Sequence, residues 1–391
     1  MFWEIIFWIS FLCLAHSYVL FPAILKMLAK NKKQNPYIYL PENASELPEI
    51  SILLAVYNEE KVIEQKILST FKTSYPLHKI EFLIGSDAST DKTNEIIQKY
   101  QQQFPQIKLV NFAGRTGKSG IINQLAAQAK NDIFILTDAN VFFKEDTIYQ
   151  LVKHYKNEKI ALVGGNILNI RFKKDGISLQ EKSYLDRENK IKYEEGILWG
   201  SMVGAFGGCY SIRKKYYSPV PPKFFMDDFY ITMHALENGG SAINELDALC
   251  YEDVSNKISE EFRRKVRISI GNFQNLARFK KLLLPPWRGL GFAFLSHKVL
   301  RWLGPFFIIL MLVSSGIIAI HNTFYQILFF AQLLAMFVPI ADTLLKRINI
   351  NVILLRFVSH FYLMNLALLI GFFKYARGVK SNIWKPTQRY Q

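Results

Sequence analysis

Apolar positions fall into three regimes along this chain. Residues 1–25, MFWEIIFWISFLCLAHSYVLFPAIL, are dominated by apolar side chains and hold a single acid. About 20 such residues cross a bilayer as a helix, so this stretch predicts a membrane span. A cleaved signal peptide would show a basic start and a small-x-small cleavage site, and neither is present. Between residues 48 and 165 short apolar runs alternate with helical patterns: EISILLAVYN, then 59–72; IEFLIGSD, then 91–103; IKLVNFAG, then 118–130; DIFILTDAN, then 145–156; then IALVGGN. Near-continuous apolar strands separated by helices belong to a parallel sheet covered on both faces. The expected fold class is therefore α/β, with a mostly parallel, Rossmann-like sheet. From about residue 302 the chain turns apolar again in WLGPFFIILMLVSSGIIAI, FYQILFFAQLLAMFVPIADTLL and VILLRFVSHFYLMNLALLIGFF. Each is long enough to span, although the last carries Arg356 and His360, which need partners at that depth.

The formal net charge of the 391 residues is +16, and it is gathered at membrane boundaries. Lys26, Lys30, Lys32 and Lys33 follow the first span; Arg263, Arg264, Lys265, Arg267, Arg278, Lys280 and Lys281 precede the next. Cytoplasmic flanks carry such an excess, so residues 48–300 are expected in the cytosol and anionic lipid is the expected partner of the charge. Nucleic acid is not, because the clusters lack interleaved aromatic stacking motifs. A basic tail, with Lys374, Arg377, Lys380, Lys385 and Arg389, is expected on the same side. One N-terminal and three C-terminal spans would put it on the other, so one C-terminal segment, first of all the one with Arg356, is expected to be re-entrant or surface-lying. Cys13, Cys209 and Cys250 form neither a CxxC pair nor an even set, and indicate no zinc site or disulfide frame.

In open parallel sheets ligands bind beyond the carboxyl ends of the strands. Tyr57, Asn58 and Glu59 follow the first strand, Asp87 and Ser89 the second, and Asp138 and Asn140 the fourth. The run FILTDANVFF opens as a buried strand that ends on a carboxylate and an amide two residues apart before apolar residues return. Taken singly, any of these residues is an ordinary turn or cap former; Asp91, before KTNEII, reads as a cap. GRTGKSGIINQ ends like a phosphate-binding P-loop, but the first glycine of that motif would fall on Phe112, and Asp138 follows Lys118 by only 20 residues. What remains is a glycine-rich turn opening a helix, with Lys118 able to reach a phosphate. GAFGGCYSIRK (204–214) sets three glycines where backbone must approach something closely. FFMDDFYITMHALENGG opens a helix on Asp227 and Asp228, where acids also serve the helix dipole. From Glu260 to about Leu283 a two-faced helix carries Arg264, Arg267, Gly271, Gln274 and Arg278 on one stripe, suited to closing over an anion.

The ordered set ILLAVYNEE, SDASTDKT, GRTGKSGIIN, LTDAN, FMDDF and RKVRISIGNFQ, over about residues 50–280, resembles the inverting family 2 glycosyltransferases, in particular the membrane-embedded group that includes polysaccharide synthases and lipid-linked sugar transferases. The resemblance implies a GT-A fold, a nucleotide-sugar donor, usually a UDP-sugar, and Mg²⁺ or Mn²⁺. It gives Tyr57, Glu59 and Asp87 to the donor nucleoside, Lys118 to the diphosphate region, Ser89, Asp138 and Gln274 to donor binding, and Asp138-Ala139-Asn140 to the DxD motif, with Asp138 and Asn140 as metal ligands. Asp228 becomes the general base, Asp227 its neighbour that orients the loop or caps the helix, and Arg264 and Arg267 supply charge for the leaving diphosphate. Two positions depart from the family pattern. Asn140 replaces the second acid of DxD and brings no charge, and Ile268 replaces the Trp that ends Q/RxxRW, so transfer of one or a few sugars is at least as well supported as long-chain polymerisation. The implied layout is a span at 1–25, a basic linker at 26–47, a catalytic domain at 48–258, interfacial helices at 259–300, spans within 301–373 and a basic tail at 374–391. The implied activity is hexosyl transfer to a lipid-linked or polysaccharide acceptor in cell-envelope glycan synthesis at the cytoplasmic membrane. The alternative is a silent donor-binding partner subunit of another transferase.

Overall fold

The structure, a computed structural model, describes residues 1–41, 43–170, 178–253, 258–348, 350 and 352–379. Lys380, Lys385 and Arg389 of the basic tail lie outside the described residues. The described residues form two compact units, one built on 1–27, 178–181 and 258–378, the other on 28–170 and 182–253.

The first helix, α1 (Phe2–Ala29), is long and apolar enough to cross a membrane. The α/β unit then follows the alternation of the sequence: β1 (Ile50–Val56), α2 (Ile63–Phe71), β2 (Ile80–Asp87), α3 (Thr93–Gln103), β3 (Ile107–Phe112), α4 (Lys118–Gln128), β4 (Ile133–Thr137), β5 (Val141–Phe143), α5 (Thr147–Val152) and β6 (Ile160–Ile170). After these come α6 (Ser178–Trp199), β7 (Cys209–Arg213), α7 (Asp227–Glu237) and β8 (Ser241–Asp253). Every residue of β1, β2 and β4 is buried, whereas β3 exposes part of its length. That is the burial of strands covered on both faces, with β3 at an edge. On one face Ile50, Ile52, Leu54 and Val56 pack with Ile63, Ile67 and Phe71 of α2 and with Ile97 and Tyr100 of α3.

The eight strands lie in the order β3-β2-β1-β4-β7-β6-β8-β5. β3, β2, β1 and β4 are mutually parallel. Beyond β4 the sheet is mixed: β7 runs antiparallel to both β4 and β6, β8 parallel to β6, and β5 antiparallel to β8. The sheet is thus parallel only in its first half. Within FILTDANVFF the buried strand does end just ahead of Asp138 and Asn140. β4 ends at Thr137, and three residues later β5 joins an edge of the sheet. From Thr137 to Val141 the chain reaches roughly 14 Å at most, while four strand spacings across a flat sheet measure roughly 19 Å. The sheet must curl, and the Asp138–Asn140 turn is where it closes on itself.

The second unit adds α8 (Ile258–Phe279), α9 (Gly289–Trp302), α10 (Gly304–Ala319), α11 (Thr323–Arg347) and α12 (Ile353–Ala376) to α1. By length and composition α11 and α12 could cross a membrane, while α9 and α10 meet the test only as a pair bent by 62°. Polar groups here find partners: Trp8 donates to the Tyr325 hydroxyl at 3.1 Å, Gln332 to Ser315 at 2.9 Å, and Ser269 of α8 to the Leu368 carbonyl of α12 at 2.9 Å. The segment with Arg356, expected to be re-entrant or surface-lying, is the continuous helix α12, and Arg356 is buried. Among the described residues the bent pair is α9–α10.

Candidate active site

In the order β2-β1-β4 the chain reverses direction of growth across the sheet, so the carboxyl ends of β1 and β4 border the crevice of a topological switch point. Three groups of residues meet that end of the α/β unit.

The first lies after β1 and β2. Asp87 has no exposed surface; it pairs with Arg115 Nε at 3.0 Å and accepts from the backbone N–H groups of Thr116 and Gly117 at 2.5 and 3.1 Å. The Arg115 guanidinium in turn lies 3.3 Å from the centre of the Tyr57 ring. These amides serve Asp87, so the glycine-rich turn is no phosphate cradle, in keeping with its departure from a P-loop. Asp87, expected against the nucleoside, here holds the loop that presents Arg115. Arg115 was missed by the sequence reading, although it stands inside the quoted GRTGK motif. Ser89 accepts from the Asn58 N–H at 3.2 Å and from the Ser86 hydroxyl at 3.0 Å, tying the first two strand ends together. The Glu59 N–H donates to Thr93 at 2.8 Å. Asp91 is the expected cap: one carboxylate oxygen accepts from the Thr93 N–H at 3.0 Å and the other from the Glu60 N–H at 3.1 Å.

The second group centres on Lys118, the first residue of α4. Its ammonium lies 2.6 Å from Asp138 and 3.9 Å from Asp227. Burial works against its charge, but Asp138 and then Asp227 outweigh it and raise the Lys118 pKa. The lysine expected to reach a phosphate thus bridges two carboxylates, so Asp138 and Asp227 share one cation. Asn140 is 3 % exposed, and its amide nitrogen donates to Glu252 of β8 at 2.9 Å. Among the described residues no three acidic, histidine or cysteine side chains gather into a metal cage. Mg²⁺ is commonly held by one or two carboxylates together with substrate phosphates rather than by an all-protein cage. Asp138, with Asp227 facing the same cation, fits that mode; Asn140, its amide engaged with Glu252, adds no charge to it.

The third group is the carboxylate pair opening α7. Gly204 has φ +83°, and a Cβ there would lie 2.4 Å from Phe229; a Cβ at Gly207 would lie 2.9 Å from Asp228 Oδ2. The glycines of GAFGG therefore admit the start of α7, as their spacing suggested. The Ala205 N–H donates to Thr232, whose hydroxyl donates to the Asp228 carbonyl at 2.7 Å. Burial, then the neighbouring Asp227 charge, push Asp228 up to about 6, against Lys118, the Phe229 N–H and Lys192. The cations that oppose the shift are Lys118 and Lys192. Lys192, 3 % exposed on α6 with its ammonium 3.4 Å from the centre of the Phe206 ring, was missed. Helix α6 is polar without a clear face, so no periodicity marked it. Arg264, Arg267 and Gln274 belong to α8 and the membrane unit. There Arg264 lies 3.3 Å from Glu261 of the same helix, which is 2 % exposed and also pairs with Lys265.

Comparison with known proteins follows the same lines. The sequence profile described as Glycosyl transferase family 2 matches residues 51–218. A probable glycosyltransferase, YdaM, of Bacillus subtilis is 32 % identical over 31 % of this chain and 29 % of its own. The beta-monoglucosyldiacylglycerol synthase of Synechocystis is 32 % identical over 38 % and 32 %, and the poly-beta-1,6-N-acetyl-D-glucosamine synthase of Staphylococcus aureus 28 % over 60 % and 57 %. The matched stretches thus span between under a third and under three fifths of these relatives. Among solved structures, a mannosyltransferase from Pyrobaculum calidifontis in complex with GDP-Man and Mn²⁺ superposes with a TM-score of 0.71 over 95 % of this chain and 99 % of its own, at 18 % identity. Residues 51–218 are thus a Glycosyl transferase family 2 domain, and the curled mixed sheet to which they belong has the GT-A fold.

Proposed function

We propose that this chain is a membrane-bound, inverting hexosyltransferase that moves a sugar from a nucleotide-sugar donor to a lipid-linked or saccharide acceptor, with its catalytic domain in the cytosol. The observation that carries the proposal is Asp228. It is a carboxylate with its pKa raised to about 6, seated on a helix start against Gly207 and next to a second acid that shares a cation with Asp138. A general base works best with a pKa near the operating pH. In a single displacement the acceptor oxygen forms a bond to the anomeric carbon as the bond to the diphosphate oxygen breaks with inversion, and the hydroxyl proton passes to Asp228. Asp227 keeps that base raised. Lys118 sits where it can offset charge on the departing diphosphate, the term that usually dominates such reactions. A bound Mg²⁺ or Mn²⁺, held by Asp138, would neutralise the same diphosphate.

The Mn²⁺ and nucleotide-sugar named with the Pyrobaculum structure support the donor class, and the lipid product named for the Synechocystis relative supports a lipid acceptor. The motif resemblance favours UDP over GDP, and Ile268 in place of the family Trp favours limited addition. The spans and basic flanks support a cytoplasmic membrane location. The test is hydrolysis and transfer by purified protein across UDP-glucose, UDP-N-acetylglucosamine and GDP-mannose, with and without Mn²⁺. Turnover of one donor that is lost in Asp228→Asn supports the reading; binding of a donor without turnover by the unaltered protein would make it a silent partner subunit.

A further inference from the structure

Lys66 on α2 has no exposed surface. Fully buried lysines are rare, and taking an ammonium out of water costs several kcal/mol unless its protons are well placed. Here they are. The ammonium donates to the Thr137 hydroxyl at 2.8 Å and to the Val141 carbonyl at 2.6 Å, and lies 3.6 Å from the centre of the Phe143 ring. Thr137 is the last residue of β4 and Val141 the first of β5. The three residues between them are Asp138, Ala139 and Asn140, so one buried cation grips both ends of the turn that closes the curled sheet.

The grip continues on the far side. The Thr137 hydroxyl donates to the Gly208 carbonyl at 2.9 Å, and the same carbonyl accepts from the Asp138 N–H at 3.2 Å. Burial lowers the Lys66 pKa to about 8, with Asp138 among the charges that oppose the shift. Both Lys66 bonds set an oxygen acceptor against the amino group. Packing alone does not ask for an amino group, since a methionine fills a similar volume with no charge to desolvate.

We propose that Lys66 is a positioning residue for Asp138: by clamping Thr137 and Val141 it fixes the turn in the form that presents Asp138 to the cation and diphosphate of the donor. The proposal rests on the donor-binding reading above. Groups that orient a metal ligand without touching the metal commonly carry 10- to 100-fold in metal affinity.

The test uses the full-length, detergent-purified protein and its Lys66→Met variant. Mn²⁺ binding is read by electron paramagnetic resonance in the presence of UDP or GDP, and amide exchange is followed in peptides covering 137–143. Lys66→Met is expected to weaken Mn²⁺ binding by roughly tenfold or more and to speed exchange at Asp138 and Val141, while its melting temperature stays at or above that of the unaltered protein. Unchanged exchange in the variant overturns the clamp, and unchanged Mn²⁺ affinity overturns its service to the metal. If the unaltered protein binds no Mn²⁺ with either nucleotide, the donor reading fails with the metal half of the proposal, and the exchange comparison still decides whether Lys66 holds the turn. Should Lys66→Met not accumulate as folded protein, Thr137→Val removes one leg of the clamp. It is expected to shift both measurements in the same direction by a smaller factor, and no shift in either overturns the proposal.

Discussion

In the half of the sheet made of β3, β2, β1 and β4, every pair is parallel and β1, β2 and β3 are each followed by a helix, so the residues after the strands arrive at one edge by topology alone. In the other half, β7, β6, β8 and β5 pair in both senses, and Asp228 is placed by what packs around it: Gly207 against its carboxylate, Phe229 against Gly204, Thr232 against Ala205. The difference separates two kinds of sensitivity. Side chains set by strand order tolerate small local changes and govern how the donor is held. A side chain set by close contact loses its geometry with one added methyl group and governs turnover.

Asp228→Asn should break the second half most severely, lowering kcat by roughly 10²-fold or more with donor affinity kept within a few fold; steady-state kinetics on the active donor checks this. If Asp227→Asn shows that loss and Asp228→Asn does not, the two roles are exchanged. Because the acid must be ionised to accept a proton, the rate of the unaltered enzyme should fall as pH drops through about 6, and the residual rate of Asp228→Asn should lack that limb. The stability effect has the opposite sense. With a folded pKa above the unfolded value of about 3.9, Asp228 favours the folded state fully below pH 4, and this contribution is lost as pH rises through about 6.

Gly207→Ala sharpens the comparison without touching a charge. Its Cβ would come within 2.9 Å of Asp228 Oδ2, and displacements of about 1 Å cost up to 10²-fold; a fall of roughly tenfold in kcat, with donor KM little changed, is expected in the same assay. Asp87→Asn probes the first half. It leaves Arg115 without its carboxylate, so donor KM should rise by several fold while kcat changes less. Thermal unfolding should register a loss of about 1–3 kcal/mol, the usual range for a weakened buried charged hydrogen bond. A kcat loss larger than the KM change would erase the division between the halves.

The smallest effect is expected at the seam. From the sequence, Asn140→Asp would restore a second acid to the DxD pattern and strengthen metal binding. In the structure the Asn140 amide donates to Glu252, and an aspartate there would set two carboxylates against each other. Like charges in contact disfavour ionisation, so the change should lower the melting temperature by a few degrees, an estimate for about 1 kcal/mol, and leave the Mn²⁺ midpoint within a few fold. Calorimetry and a metal titration read both.

By itself the sequence determined the elements of residues 50–165 to within a few residues, because strands buried on both faces must be apolar throughout and their helices must show a stripe. It placed Asp87, Asp138 and the Asp227-Asp228 pair at strand and helix ends, and it marked the apolar helices. The curl of the sheet, the passage of FILTDANVFF from an interior strand to an edge strand, the turning of Asn140 toward Glu252 and the arrival of Lys66, Lys192 and Arg115 at the site were decided only in three dimensions. Hydrophobic periodicity records which face of an element is covered; it carries no information about which distant strand covers it. The partners of a buried charge are set by pairings tens of residues apart, as Lys66 is to Thr137 and Asn140 to Glu252, and a single chain of letters leaves those pairings open until the backbone closes them.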